Sequence, residues 1–220
     1  ELFAGAGGLA LGLEKAGFET VFSNEFNHDA CKTLTLNRPN WNVDNNDIHK
    51  INFEKFNNNV DLLTGGFPCQ AFSHSGKRLG FEDTRGTLFY EFARAIAQIS
   101  PLCFLAENVK GLCTHDSGKT IETIISVFSE LGYHVFEPLL LNAVNYQVAQ
   151  KRERIFIFGV KKKYKDKFNF EPPQTFKPLT LSDIFYKGSF YDVDVSSLSN
   201  EGYKYPNRKI ELFNNIPQGG

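Results

Sequence analysis

The fold this sequence predicts is an α/β domain with a doubly wound, mostly parallel sheet. Three observations carry the prediction. Short apolar runs alternate with stretches of helical period from Leu2 to Val160. A glycine-rich turn, Phe3-Ala4-Gly5-Ala6-Gly7-Gly8, joins the first apolar stub to the first helical stretch. Acids and a Gly–Pro turn recur where the apolar runs end, on the edge at which such sheets bind ligands.

Taken in order, Leu2-Phe3 reads as the tail of a strand. Leu9–Lys15 reads as an amphipathic helix stopped near Gly17. Thr20–Ser23 is an expected strand, and Asn27 can cap a helix running to about Leu36. Asp47 is expected at the end of a third strand, and Val60–Thr64 forms a buried one. A helix is expected over Thr87–Ile99, then a strand over Leu102–Ala106, introduced by Pro101. The helix predicted at Thr120–Leu131 shows Ile121, Ile124, Ile125, Phe128 and Leu131 on one face. Val135–Leu141 and Ile155–Val160 are further expected strands. From Pro172 the alternation breaks. Pro172, Pro173 and Pro178 punctuate the chain, and polar residues dominate to Gly220, with at most one helical turn at Ser182–Phe185. No internal repeat is present.

Composition bounds the function. With 41% hydrophobic residues, the 220-residue chain can bury a substantial core, as one large domain or one domain plus part of another. No apolar run approaches the ~18 residues of a membrane span, so no membrane partner is expected. The four cysteines, Cys31, Cys69, Cys103 and Cys113, lack the close spacing of a metal knuckle or redox pair. No metal is expected, and a reducing intracellular compartment fits. Cys31, Cys103 and Cys113 read as small buried hydrophobes. A net charge of −1 gives no support to nucleic-acid binding, but the cations are unevenly spread. Lys77, Arg78, Arg85, Lys110, Lys119, Lys151, Arg152 and Arg154 fall in the loops that carry the motifs below. The Lys161–Lys167 run reads as a solvated strand end. Met is absent and the first strand lacks its start, so the sequence is expected to begin inside a longer protein.

One group of motifs points to a nucleotide-like cofactor. The Gly5–Gly8 turn lets backbone approach a ligand, and the following helix N-terminus favours negative charge. Dinucleotide sites and plain tight turns use similar runs. Glu25, in Ser23-Asn24-Glu25-Phe26, ends the second strand, where an acid commonly takes ribose hydroxyls. Asp47, in Asn46-Asp47-Ile48, occupies the corresponding place on the third. The bland reading of each acid is a helix cap or turn residue.

A second group points to covalent chemistry. Gly65-Gly66-Phe67-Pro68-Cys69-Gln70-Ala71-Phe72-Ser73 follows the Val60–Thr64 strand. Two glycines and a proline hold that turn open and set Cys69 where a ligand can reach it. The irregular span 65–86 reads as a closing lid. Leu105-Ala106-Glu107-Asn108-Val109 places Glu107 at the end of the neighbouring strand, on the same sheet edge.

Several of these segments, in order, resemble the DNA cytosine-5 methyltransferase family. They are Leu2–Gly8, Gly65–Ser73 with His74-Ser75-Gly76-Lys77-Arg78, Glu107-Asn108-Val109-Lys110-Gly111, and Gln147-Val148-Ala149-Gln150-Lys151-Arg152-Glu153-Arg154. The resemblance covers about residues 1–185. It implies a Rossmann-like fold that uses S-adenosylmethionine. By that likeness Phe3 packs on the adenine and Glu25 binds the ribose. Phe26 stands at an apolar adenine contact, and Asp47 reads the adenine amino group beside Ile48. Ala4, Gly5, Gly7, Gly8, Pro68 and Leu88 line the same pocket. The family often has Gly where this sequence has Asn46.

The resemblance also implies a reaction. Cytosine carbon 5 is a poor nucleophile, and a thiolate adding to carbon 6 makes it enamine-like. Cys69 is the implied nucleophile and Glu107 the implied acid near ring nitrogen 3. Arg154 matches an arginine that contacts the base carbonyl oxygen, and Arg152 one near the nucleophile loop. Gln70, Ser73, Ser75, Lys77 and Arg78 are the implied contacts to double-stranded DNA, from which the cytosine is flipped. The implied whole is a monomeric, cytoplasmic, prokaryotic restriction-modification methylase with a cognate restriction endonuclease as genetic partner. Residues 1–186 would form the catalytic domain. Residues 187–220 would open a target-recognition region, most of which is expected beyond Gly220. A tRNA cytosine-5 methyltransferase of the same fold is the alternative. A catalytically dead regulator predicts loss of Cys69 or Glu107, and both are present. A nicotinamide-dependent oxidoreductase explains the glycine turn but not Cys69, Glu107 and the arginine block together.

Overall fold

The computed structural model describes residues 1–68, 88–180 and 183. The chain divides into two compact units. One comprises Glu1–Leu141 and Glu153–Pro173, and the other Asn142–Arg152 and the chain from Gln174 onward. The break after Pro173 falls where strand–helix alternation stops in the sequence.

The first unit is built from α1 (Gly8–Lys15), β1 (Ser23–Asn24), α2 (His28–Asn37), β2 (Val43–Asp44), β3 (Leu62–Gly65), α3 (Leu88–Ile99), β4 (Cys103–Val109), α4 (Lys119–Glu130), β5 (Tyr133–Val135), β6 (Leu139–Asn142) and β7 (Glu153–Lys161). Asn27 caps α2 as its sequence predicts, accepting from the N–H groups of Asp29 and Ala30. β1 pairs with β2, and β3 with β4, both parallel. Leu2 stands between the two pairs, bridging Asn24 on one side and Gly65 on the other, again in parallel. The chain therefore leaves Leu2, builds β1 and β2 to one side, and returns to build β3 on the other. That reversal makes a switch point, where crevices open at the carboxyl ends of the strands.

Beyond β4 the sheet turns antiparallel. β7 pairs with β4 on one side and β5 on the other. The sheet is thus mixed: parallel around Leu2, antiparallel at the far edge. Several strand boundaries differ from the sequence expectation: the third strand ends at Asp44, not at Asp47, and β3 and β7 are shifted by one or two residues. Three further differences have a pairing reason. β1 is confined to Ser23–Asn24, whose N–H groups find Asn42 and Glu1 carbonyls, while Val21 stays exposed. The run expected over Val135–Leu141 is split into β5 and β6 across Pro138, which has no N–H for a ladder. β4 extends to Val109 because β7 partners it throughout, down to Val109 opposite Arg154. β3 stops pairing at Ala106 opposite Gly65. Glu107 therefore lies inside a ladder, on a stretch of β4 that overhangs β3.

The core is dominated by phenylalanine. Phe92 and Phe104 are fully buried, as are Phe128 and Ile124 of α4. The Phe104 ring lies 4.4 Å from Phe128 and 6.3 Å from Phe92, centroid to centroid. Burying each such ring contributes about 2–3 kcal/mol. Among the described residues no helix is long and apolar enough to cross a membrane.

Candidate active site

The first strand-to-helix turn is a strained, glycine-dependent loop. Phe3 has φ 56° and Gly7 φ 87°, both left-handed. A Cβ on Gly7 would come within 2.5 Å of Leu34 Cδ2, so α1 and α2 close on each other only with glycine there. Phe3 is half-buried, packed on the edge of the core.

Glu25 is tied into this turn. Its Oε2 accepts from Gly5 N at 2.7 Å, and its Oε1 from Asn27 N at 2.7 Å. One carboxylate thus fixes two loops at the sheet's carboxyl edge, and remains half-exposed. Phe26 beside it is 73% exposed, an apolar side chain held out to solvent. Two residues that sequence reasoning passed over hold this segment. Asn45 Nδ2 donates to the carbonyls of Glu25 and Phe26, each at 2.9 Å. The Cys31 thiol donates to Glu25 O at 3.0 Å. Burial and the Glu25 charge push that thiol up, which keeps it a donor. Cys31 is therefore a bonded group as well as a buried one.

Asp47 lies three residues beyond β2 and caps a 3₁₀ turn, Ile48–Lys50, by accepting from His49 N at 3.1 Å. His49 Nδ1 lies 2.6 Å from the same Oδ1. The His49 side-chain and backbone hydrogen bonds hold the Asp47 carboxyl below its ordinary value. Asn24, buried in β1, links this turn to the sheet through the Asp44 and Asn46 carbonyls. Ile48 is buried, and Leu88 is half-buried at the start of α3.

At the neighbouring edge, Glu107 and Arg154 meet across the β4–β7 ladder, Oε1 to Nε at 2.8 Å. Their side chains are 24% and 23% exposed, largely shielded from water. A Cβ on Gly66 would stand 3.1 Å from Glu107 Oε2, so the glycine gives that carboxylate its space. Lys110 pairs with Glu153 at 3.0 Å alongside.

The approach to Cys69 is anchored from two sides. Phe67 is 2% exposed, its ring 5.4 Å from Phe89 and 5.6 Å from Phe92 of α3. Its carbonyl accepts from the buried Asn108 Nδ2 at 2.8 Å. Asn108 follows Glu107 directly, so one strand carries both the Glu107 carboxylate and the donor that holds the Phe67 carbonyl. Pro68 follows, exposed. Cys69, Gln70, Ser73, Ser75, Lys77 and Arg78 lie outside the described residues. Arg152 belongs to the second unit. It is exposed there, its N–H donating to Asn142 Oδ1 at 3.2 Å and its carbonyl accepting from Ala143 N. Among the described residues no cluster of His, Cys, Asp or Glu is arranged to hold a metal ion.

The site can therefore hold a ligand with hydroxyl and apolar parts against the turn, Glu25 and Asp47. Glu107 and Arg154 present a paired carboxylate and guanidinium to any polar group brought against them.

Known proteins share this arrangement of sequence and fold. The sequence profile of the C-5 cytosine-specific DNA methylase family matches residues 1–217. The chain is 55% identical to Type II methyltransferase M.Eco47II of Escherichia coli, over 100% of this chain and 52% of that protein. It is 54% identical to Type II methyltransferase M.PspPI of Psychrobacter sp., over 100% of this chain and 53% of that one. It thus spans about half the length of these curated relatives. Among solved structures, a candidate DNA modification methyltransferase encoded in an E. coli prophage matches with TM-score 0.69 and 31% identity, over 84% of this chain and 53% of that one. A Spodoptera frugiperda DNMT2 structure matches with TM-score 0.68 and 25% identity, over 88% and 59% of the two chains. With the profile spanning nearly its whole length and a methyltransferase-like sheet beneath it, the chain belongs to the C-5 cytosine-specific DNA methylase family.

Proposed function

We propose that the protein carrying this chain transfers a methyl group from S-adenosylmethionine to carbon 5 of a cytosine flipped out of a specific double-stranded DNA sequence. The observation that carries the reading is the Glu107–Arg154 pair, placed beside the Gly66–Pro68 root of the Cys69 loop. Membership of the C-5 cytosine-specific DNA methylase family supports DNA as substrate.

The residues fit the methyl donor. A ribose suits the half-exposed Glu25 carboxylate, an adenine amino group suits the ionised Asp47, and Phe3, Phe26, Ile48 and Leu88 offer apolar surface. Ala4, Gly5, Gly7, Gly8 and Pro68 complete the walls. Bound there, the donor supplies an electrophilic methyl group on a sulfonium centre.

On the base side, the Cys69 thiolate adds to carbon 6, and the ring's electron pair moves to carbon 5. Glu107 hydrogen-bonds ring nitrogen 3 and the amino group, relieving the charge that develops there. Arg154 donates to the carbonyl oxygen while holding Glu107 in place. Carbon 5 would take the donor's methyl group as the methyl–sulfur bond breaks, leaving the neutral thioether product. Loss of the carbon 5 proton to a base then expels the Cys69 thiolate and restores the ring. By the family resemblance, Arg152 is assigned to the nucleophile step, and Gln70, Ser73, Ser75, Lys77 and Arg78 to contacts with the DNA. Residues 1–186 carry this chemistry, and residues 187–220 begin the region that reads sequence. A monomer in a bacterial cytoplasm, paired genetically with a restriction endonuclease, completes the reading.

The test is radiolabelled methyl transfer from S-adenosylmethionine, by the whole protein, to duplex DNA and to tRNA. Label in the cytosines of duplex DNA is expected. Label in tRNA alone would replace this reading with the RNA one.

A further inference from the structure

Arg94 sits on α3, the helix that also begins with Leu88, and no step of the proposed chemistry uses it. Its guanidinium is nevertheless wholly committed. Nη2 donates to Ile48 O at 2.8 Å, and Nη1 to Ile51 O at 2.9 Å. Nε and Nη2 both donate to Glu91 Oε2, at 2.8 and 2.6 Å. Nη1 also reaches Gln98 Oε1 at 3.1 Å, and the guanidinium carbon lies 4.8 Å from the Phe53 ring centroid. Glu91, Arg94 and Gln98 fall at spacings of three and four, on one face of the helix. Glu91 is only 7% exposed, so its charge is compensated by Arg94 rather than by water.

The two carbonyls that Arg94 holds flank the turn that Asp47 caps. Ile48 O already accepts from Ile51 N at 3.1 Å, and Arg94 takes up its remaining capacity. The guanidinium thus clamps both ends of the Ile48–Ile51 segment onto α3. Asp47 and Ile48 on one side, and Leu88 on the other, are fixed to the same helix. A lysine could not reproduce this, because its donors radiate from one point rather than a planar fork.

We propose that Arg94, oriented by Glu91, is a positioning residue that sets Asp47 for reading the cofactor's adenine amino group. This rests on the S-adenosylmethionine reading above, and the test separates the two. Calorimetry on the whole protein measures binding of S-adenosylhomocysteine and of S-inosylhomocysteine, in which a carbonyl oxygen replaces the amino group. The unaltered protein should prefer the adenine compound. Asp47→Ala should lower that preference about tenfold, the loss of one hydrogen bond to a charged acceptor. Arg94→Lys should lower it by a similar factor, and Glu91→Gln by less. In the Asp47→Ala background, Arg94→Lys should change the preference no further.

A purely structural role would weaken both compounds by the same factor and leave their ratio unmoved. If Asp47→Ala moves the ratio while folded Arg94→Lys and Glu91→Gln proteins do not, the positioning role is overturned and the cofactor reading stands. If Asp47→Ala leaves the ratio unmoved, the assignment of Asp47 falls and the role of Arg94 falls with it.

Discussion

Arg154 donates to Glu107 across the antiparallel β4–β7 ladder, Nε to Oε1 at 2.8 Å. Register explains the meeting. Arg154 stands opposite Val109, so it is the diagonal neighbour of Glu107 on the same face of the sheet. The pairing aims the carboxylate beside Gly66, at the root of the segment leading to Cys69. A second relationship on the same strand, Asn108 Nδ2 to Phe67 O, fixes that root. The Glu107 carboxylate and the anchor of the Phe67 carbonyl are thus adjacent residues of β4.

Glu107→Gln keeps the shape but weakens proton donation and charge relief. Turnover by the whole protein should fall at least ~10²-fold, the effect usual for a general acid or base. Arg154→Ala should also slow turnover, by leaving Glu107 without its orienting partner. Single-turnover methyl transfer measures both, and unchanged rates in Glu107→Gln would remove the acid from the mechanism.

Cys69→Ser should abolish turnover while leaving binding of S-adenosylhomocysteine nearly intact. Duplex DNA bearing 5-fluorocytosine should trap a covalent adduct, because fluorine cannot leave as a proton does. Peptide mapping should find it on Cys69. An adduct on Cys31, Cys103 or Cys113 would refute the assignment.

Glu25→Ala should weaken the methyl donor and its demethylated product alike, since both carry the ribose. Loss of a charged hydrogen-bonding group predicts about 10- to 100-fold in each Kd by calorimetry. The same change frees the Gly5 and Asn27 amides, so the melting temperature should also drop. A protein that lost stability but bound both compounds normally would show Glu25 to be a loop tie alone.

Asn108→Ala leaves the Phe67 carbonyl without its buried donor. The cost should be about 1–3 kcal/mol of stability by urea unfolding. Turnover should fall as well, because the Cys69 loop loses one of its two anchors, while cofactor-product affinity stays within about twofold. Full activity in Asn108→Ala would mean that the Phe67 ring contacts suffice.

Stability should fall on the alkaline side. Burial, with the nearby Asp61 charge, pushes the Cys103 thiol up to about 11. Burial also raises the Tyr133 hydroxyl, which donates to Pro101 O at 2.7 Å. A raised pKa means that the folded state holds its proton more tightly. The contribution is complete below the unfolded thiol value of ~8.5 and is lost as pH climbs toward 11, at up to ~1.4 kcal/mol per pH unit. Urea midpoints of the unaltered protein should drop between pH 8 and 10, and those of Cys103→Ala should drop less. Parallel pH profiles would place the titrating group elsewhere.

The sequence by itself determined the alternating α/β architecture, the cap at Asn27, the glycine turn after Leu2 and the motifs around Glu107. Each is encoded over a few neighbouring residues, as apolar periodicity, a side-chain oxygen before a helix, or positive-φ glycines. The tertiary structure decided what depends on partners distant in sequence. The antiparallel course of β7, and with it the extension of β4 through Glu107, follows from strand pairing that no local pattern records. So do the meeting of Glu107 with Arg154, the grip of Asn45 and Cys31 on the Glu25 segment, and the hold of Arg94 on the turn at Ile48. In a linear reading Cys31 is a small buried hydrophobe, and no local pattern marks Asn45 or Arg94. Only the folded chain brings their donors within hydrogen-bonding distance of the carbonyls they satisfy.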